Sequence, residues 1–503
     1  MRIVDNKAIV LNLRDPARVT NLIPKSKTLG SNEVAVNWGL DEAKTLRNIN
    51  IRVPSPIEGR YEWTGKHEPF DHQKKTAGFL TMNRRAFCFN EQGTGKTASA
   101  IWAADYLMKQ GRVNRVLVVC PLSIMDSAWR ADLFTFAMHR TVDIAHGAKD
   151  KRAKIISGDA DFVIINYDGV EIVQDVIING GFDCIIIDEA THYKNVQTRR
   201  WKTLNKLLKP DTWLWLMTGT PAAQSPLDAY GLAKLVNPKS VPKFFGTFRD
   251  HVMVKLTQFK WIPREDSTDK VFRALQPAIR FTKEECLDLP PMVYVKRTVE
   301  LTRQQNKYYK ELKDKMIMHA AGEEITAANA AVVMNKLLQI SCGAIYTDKG
   351  DALEFDITHR YKVLREVIDE SSKKVLVFVP FRHVIDVLTD KLRNDGITTE
   401  VIRGDVSATK RTERFKQFQE QDDPKVLVIQ PQSAANTVLW WGPTSSLETY
   451  AQANARVHRS GQTHKCTIVQ LQGSYVERRI YSLLDNRIDV HTKVIDLYNE
   501  MLD

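Results

Sequence analysis

The stretch that most constrains this chain runs from Arg85 through Phe87, Phe89 and Asn90 to Gly93, Thr94, Gly95, Lys96 and Thr97. It reads as a buried apolar strand followed at once by a glycine-bearing turn, which presents backbone N–H groups to a phosphate. After Thr97 the apolar residues Ile101, Ala104, Leu107 and Met108 share one helical face, and Gly111 is placed to stop the helix. Strand, loop and helix fall in the order of a P-loop, so hydrolysis of a nucleoside triphosphate is the chemistry implied. Gly93 and Gly95 let the backbone approach the phosphates, Lys96 reaches the β- and γ-phosphates, and the Thr97 hydroxyl is a ligand for Mg2+. Asn90 stands where the full pattern has its first glycine, and asparagine is the residue other than glycine that best tolerates left-handed backbone.

With 503 residues the chain exceeds one ordinary core, so two or three domains are expected. A net charge of +12 suits a polyanion such as nucleic acid as partner. Six scattered cysteines include no C-x-x-C pair, and Cys88, Cys120, Cys184 and Cys466 lie in or beside apolar runs as small core residues. That usage fits a reducing cytoplasm. The first residues lack the apolar stretch of a signal peptide, and no run of about eighteen apolar residues is present to span a bilayer.

Residues 1–57 read as a small α+β unit, with strand alternation from Ile3 to Leu11 and at Val34 to Val36, and a short helix opened by Pro16. A turn-rich linker containing Pro54 and Pro56 follows. Beyond the P-loop, continuous apolar runs begin at Val116, Phe162, Cys184 and Trp213, separated by helical or polar segments. Such runs describe a parallel sheet covered on both faces, with functional residues at the C-terminal strand ends. Asp188 and Glu189 end one of these runs, where Asp188 can hold Mg2+ and Glu189 can orient and deprotonate an attacking water. An acidic helix cap is the plainer role for the same pair. Thr218, Gly219 and Thr220 end the next run. A mostly helical stretch extends from Leu227 to about Arg360, and a second set of strands begins at Lys374, Val426 and Cys466.

Taken together, Gln73, the P-loop, Asp188-Glu189-Ala190-Thr191 with Lys194 and Asn195, and Thr218-Gly219-Thr220-Pro221 resemble the first lobe of a Swi/Snf-type DNA-dependent ATPase of helicase superfamily two. Cys120-Pro121 with Trp129 is similar to that family's motif Ia, which contacts the DNA backbone. Tyr450 to Gln462, carrying Arg456 and Arg459 at i and i+3, resembles its motif VI, the pair acting as arginine fingers. Thr191 and Ala455 replace the family's usual histidine and aspartate, and Pro431 to Leu439 is similar to the form of motif V in phage-encoded members.

The resemblance covers roughly residues 60–490 and implies an α/β fold of two tandem RecA-like lobes with helical protrusions, over 58–285 and 286–503, behind the module at 1–57. It implies ATP as substrate, Mg2+ as cofactor, and Gln73, Gly93, Thr94, Gly95, Lys96, Thr97 and Gln462 as nucleotide contacts. Thr97 and Asp188 would hold the metal, with Lys96, Asp188, Glu189, Arg456 and Arg459 as the catalytic set. The activity implied is translocation on double-stranded or branched DNA without a membrane partner, with a strand-separating DNA or RNA helicase and an ATP-gated clamp as alternatives.

Overall fold

The computed structural model describes residues 1–65, 67–219, 221–222, 225–257, 261–286, 292–320, 327–346, 352–371, 373–404, 406–429, 437–457 and 466–486, with the backbone alone at several helical positions. The chain divides into two compact units, Met1–Leu287 and Asp288–Asp503.

The first unit is built on a seven-stranded sheet in which every paired neighbour is parallel. Its spatial order is Ala278–Ile279, Arg85–Cys88, Trp213–Met217, Cys184–Asp188, Val116–Cys120, Phe162–Asn166 and Val142–Ala145. The continuous apolar runs follow from burial on both faces. In Trp213–Met217, Trp213, Trp215 and Met217 enter one core while Leu214 and Leu216 enter the other. The strand after the P-loop helix, Val116–Cys120, skips two positions across the sheet. In such sheets ligands usually bind outside the C-terminal ends of the strands.

The N-terminal residues form a four-stranded antiparallel sheet in the order Arg2–Val4, Ala8–Asn12, Glu33–Asn37, Lys27–Thr28, followed by the helix Leu40–Asn48. Its buried side chains, among them Ile9, Leu11, Val34, Val36, Trp38 and Leu46, belong to the same core as Ala77, Leu80 and Trp215 of the large sheet's layer. Polar contacts join the two as well. The Lys44 ammonium lies 4.8 Å from the Trp213 ring centroid, and the Ser55 and Thr81 hydroxyls are 2.7 Å apart.

The helix Lys96–Lys109 is pinned from behind by Asp105, whose carboxylate is fully buried. Asp105 accepts from the Tyr61 hydroxyl at 2.6 Å and Arg140 Nε at 2.6 Å, with His139 Nε2 at 2.8 Å and Lys109 Nζ at 3.2 Å. Four donors compensate one buried charge, the condition under which a carboxylate is tolerated in a core. The P-loop helix is thereby fixed to the linker and to the turn at 139–140.

The second unit holds a six-stranded sheet, also parallel throughout, ordered Met292–Thr298, Cys466–Gln472, Thr437–Trp440, Val375–Phe378, Val426–Ile429 and Thr399–Ile402. Val375 and Val377 face one core, Leu376 and Phe378 the other. The helices Arg303–Ala320 and Ala327–Cys342 are joined by Gln305, whose amide donates to the Ile340 and Ser341 carbonyls at 2.8 and 3.2 Å. A buried ion pair, Arg360 with Glu477 at 2.8 Å, ties Thr358–Glu370 to Tyr475–Asp485. The two-lobed α/β expectation holds. No helix among the described residues is long and apolar enough to cross a membrane.

Candidate nucleotide site

Strand register assembles the site. Cys88 pairs with Met217 and Met217 with Asp188, so three strand ends lie in one row, each followed by a motif. From Cys88 the chain enters the P-loop, from Met217 it enters Thr218-Gly219, and Asp188 leads to Glu189. The Thr218 N–H donates to the Cys88 carbonyl at 3.0 Å, and a Cβ on Gly219 would lie 3.5 Å from Gln92, so the second motif lies directly against the first.

Gly93 and Gly95 have φ of +84° and +81°, values at which only glycine is unstrained. A Cβ on Gly95 would also lie 2.0 Å from Gln73 Nε2, so a side chain there would have to displace the Gln73 amide. The helix Lys96–Lys109 starts at this turn, and its first-turn N–H groups have no acceptor within the helix. Glycine conformation, free helical N–H groups and a lysine at the helix start together suit a polyphosphate. Lys96 Nζ donates to the carbonyls of Asn90 and Glu91 at 2.9 and 3.2 Å, folded back on its own loop. Thr94 is buried, its hydroxyl bonded to the Glu91 carbonyl at 2.7 Å, and Thr97 is half-buried in the first turn.

Asn90 corrects one expectation. It is absent from the left-handed residues of the described backbone, so conformational tolerance is not why an asparagine serves here. Its side chain is fully buried, donating to Thr76 Oγ1 at 2.8 Å and accepting from the Phe281 N–H at 3.0 Å. Glu91 continues the contact, with its N–H on the Phe281 carbonyl at 2.9 Å and its carboxylate on the Lys283 N–H at 3.2 Å. The P-loop base is therefore stitched to the segment that leaves the first unit.

Asp188 is buried, its Oδ1 accepting from the Glu189 N–H at 3.0 Å and its Oδ2 from the Trp129 indole at 2.9 Å. Burial raises its carboxyl above the ordinary range, and the Lys96 charge followed by these hydrogen bonds opposes the rise. Glu189 has left-handed backbone, φ 49° and ψ 57°, a conformation that costs a non-glycine residue energy and recurs at functional sites. Gln92 Nε2 is 3.4 Å from its Oε1, and the Tyr167 hydroxyl holds the Asp188 carbonyl at 2.6 Å.

Trp129 is fully buried and bonded to Asp188, whereas Leu122 and Ser123 of the same motif are exposed. Gln73 accepts from the Phe70 N–H at 3.0 Å, closing its helix, and donates to the Thr94 carbonyl at 3.3 Å. His72 Nε2 is 2.8 Å from the same carbonyl. Arg456 lies in the helix Leu447–Val457 with its side chain outside the described residues, and Arg459, Gln462, Thr220 and the stretch 430–436 also lie outside them. Among the described residues no cluster of three histidine, cysteine or acidic side chains forms a metal cage. A buried carboxylate that feels the Lys96 charge, with a half-buried threonine in the first turn of the P-loop helix, does fit Mg2+, which keeps several waters and takes few protein ligands.

The SNF2-related domain model matches residues 32–343, and the helicase conserved C-terminal domain model matches 359–461. The chain belongs to the SNF2-related family. Its two matched domains are those of a helicase-like ATPase core of superfamily two. The chain is similar to the CHD3-type chromatin-remodeling factor PICKLE of Arabidopsis thaliana, 24% identical over 81% of this chain and 32% of the relative. It is also similar to the uncharacterized ATP-dependent helicase MG018 of Mycoplasma genitalium, 24% identical over 81% of this chain and 40% of the relative. The putative protein p41 of Acyrthosiphon pisum secondary endosymbiont phage 1 is 25% identical over 64% of this chain and 74% of its own length. This chain thus spans less than half of the first two relatives. The Sulfolobus solfataricus SWI2/SNF2 ATPase core in complex with dsDNA aligns at 21% identity over 84% of this chain and 92% of its own, with a TM-score of 0.43.

Within this SNF2-related chain, sequence reasoning missed Trp129 as a partner of Asp188 and Asn90 as a connector. For Trp129 a signal existed, because a buried indole N–H needs an acceptor.

Proposed function

We propose that this chain is a Mg2+-dependent ATPase, stimulated by nucleic acid, that moves along double-stranded DNA. In this reading it remodels branched DNA or protein–DNA complexes during repair, recombination or replication, in a bacterial or phage-infected host cytoplasm. The observation that carries the ATPase reading is the row Cys88, Met217, Asp188, which sets the P-loop, Thr218 and the acid pair side by side.

In this site Gly93, Thr94, Gly95 and the first turn of Lys96–Lys109 would hold the phosphates, and Gln73, lying against Gly95, would read the adenine. Lys96 would exchange the loop carbonyls for the β- and γ-phosphates. Glu189 would take the proton of the attacking water, its position fixed by a strained backbone. Thr97 and Asp188 would hold Mg2+, which would supply charge neutralisation on the phosphate oxygens. Arg456 and Arg459 would meet the transferred phosphate, and Gln462 would contact the nucleotide. The charge of +12 supports a polyanionic track.

The test is the ATPase rate across duplex, single-stranded, forked and RNA ligands. Duplex or forked DNA should stimulate most, and Glu189→Gln should bind ATP without cleaving it. Equal turnover by wild type and Glu189→Gln overturns the catalytic reading. Stimulation by RNA alone overturns the DNA assignment.

A further inference from the structure

Between Val116–Cys120 and the helix Ala131–Phe136 the backbone makes a π-helical turn over Met125–Arg130. Such turns are rare and are frequently found at functional sites. This one carries Trp129, fully buried, with its indole N–H 2.9 Å from Asp188 Oδ2. The other oxygen accepts the Glu189 N–H at 3.0 Å. A carboxylate has two oxygens and about four lone-pair directions. With one donor on each oxygen, rotation of the carboxylate is blocked and the remaining lone pairs point in fixed directions.

We propose that Trp129 is a positioning residue for the metal-binding carboxylate of Asp188, so that the π-helical turn and the metal site move as one piece. The proposal rests on Asp188 holding the metal as described above. A tryptophan serving only to fill the core would gain as much from any acceptor, such as a backbone carbonyl. Here the acceptor is the carboxylate at the end of Cys184–Asp188, 59 residues away in sequence. Hydrogen-bond partners of metal ligands usually matter through ligand orientation, and their loss lowers metal affinity about 10–100-fold.

Trp129→Phe removes the N–H and keeps an aromatic ring in the core. The experiment measures Mn2+ affinity by electron paramagnetic resonance with a non-hydrolysable ATP analogue bound, and affinity for the same analogue in EDTA. A rise of about 10-fold or more in the Mn2+ Kd, with metal-free analogue affinity unchanged, supports the proposal. Unchanged Mn2+ affinity overturns it and leaves Trp129 a packing residue. Should Trp129→Phe fail to fold, the same measurement is made with β-(3-benzothienyl)alanine at position 129, which keeps the shape and lacks the N–H. Asp188→Asn is the separating control. If that variant binds Mn2+ as wild type does, Asp188 is not the metal ligand and the underlying reading fails, whatever Trp129 does.

Discussion

Replacing Asn90 by glycine brings the P-loop closer to the common pattern, yet the structure predicts that the variant is less stable. The Asn90 side chain is fully buried and bridges Thr76 Oγ1 and the Phe281 N–H at 2.8 and 3.0 Å. Thr76 keeps its bond to the His72 carbonyl at 2.7 Å, so it loses one partner of two. Phe281 is half-buried and can recover part of its loss from water. Each abandoned group then costs about 1 kcal/mol, the low end for an unsatisfied buried donor or acceptor. Glycine adds roughly 0.5–1 kcal/mol of backbone entropy. A total of about 2.5–3 kcal/mol should lower the melting transition of the first unit by roughly 5–12 °C in differential scanning calorimetry. Asn90→Ala should fall by less, and a double-mutant cycle with Thr76→Val should give a coupling of about 0.5–1 kcal/mol. A glycine variant that melts at or above the wild-type temperature, with no coupling to Thr76, would refute the reasoning and make Asn90 a passive stand-in for glycine.

Arg456→Lys and Arg459→Lys should each keep ATP binding in a fluorescent nucleotide titration while stimulated hydrolysis falls by orders of magnitude, since arginine fingers contribute about 10³–10⁵ in rate; wild-type turnover would make that arginine a surface residue. Arg360→Ala strands the buried Glu477 and should destabilise the second unit by about 3–5 kcal/mol, whereas exchanging both residues for apolar ones should be far milder, checked by which calorimetric transition moves. Burial, then the Asp188 charge, pushes the Asp132 carboxyl up to about 6, so the protonated form favours the fold below about pH 4 and that stability is lost as pH rises through 6. Asp132→Asn should therefore gain at most ~3 kcal/mol over wild type at pH 7.5 and nothing near pH 4 in urea melts without metal, and a pH-independent difference would contradict the shift. Deleting residues 1–57 uncovers core shared with Leu80 and Trp215, so the expected outcome is a lowered first transition or insolubility rather than an intact motor with altered DNA preference.

What the sequence discloses about this fold divides along exposure. Trp213–Met217, Cys184–Asp188 and Val116–Cys120 are buried at every position and announce themselves as apolar runs. Val142–Ala145 carries exposed Asp143, and Met292–Thr298 alternates half-buried with exposed residues; both are sheet-edge strands whose outer side lacks a covering neighbour. Pairing to one strand is enough to form them, but it leaves too weak a pattern to read. The motifs at the strand ends are legible for a related reason, since phosphate chemistry restricts which residues can stand there. Partners are not. The N–H of Trp129 requires an acceptor and the amide of Asn90 requires two partners, but nothing local selects Asp188, Thr76 or Phe281, which only the tertiary fold brings near. The same holds for the N-terminal sheet, whose alternation predicts an apolar face without naming what covers it. Supporting contacts of this kind decide how rigidly Asp188 and the P-loop are held. The sequence therefore points to the chemistry of the site more directly than to the residues that keep it in place.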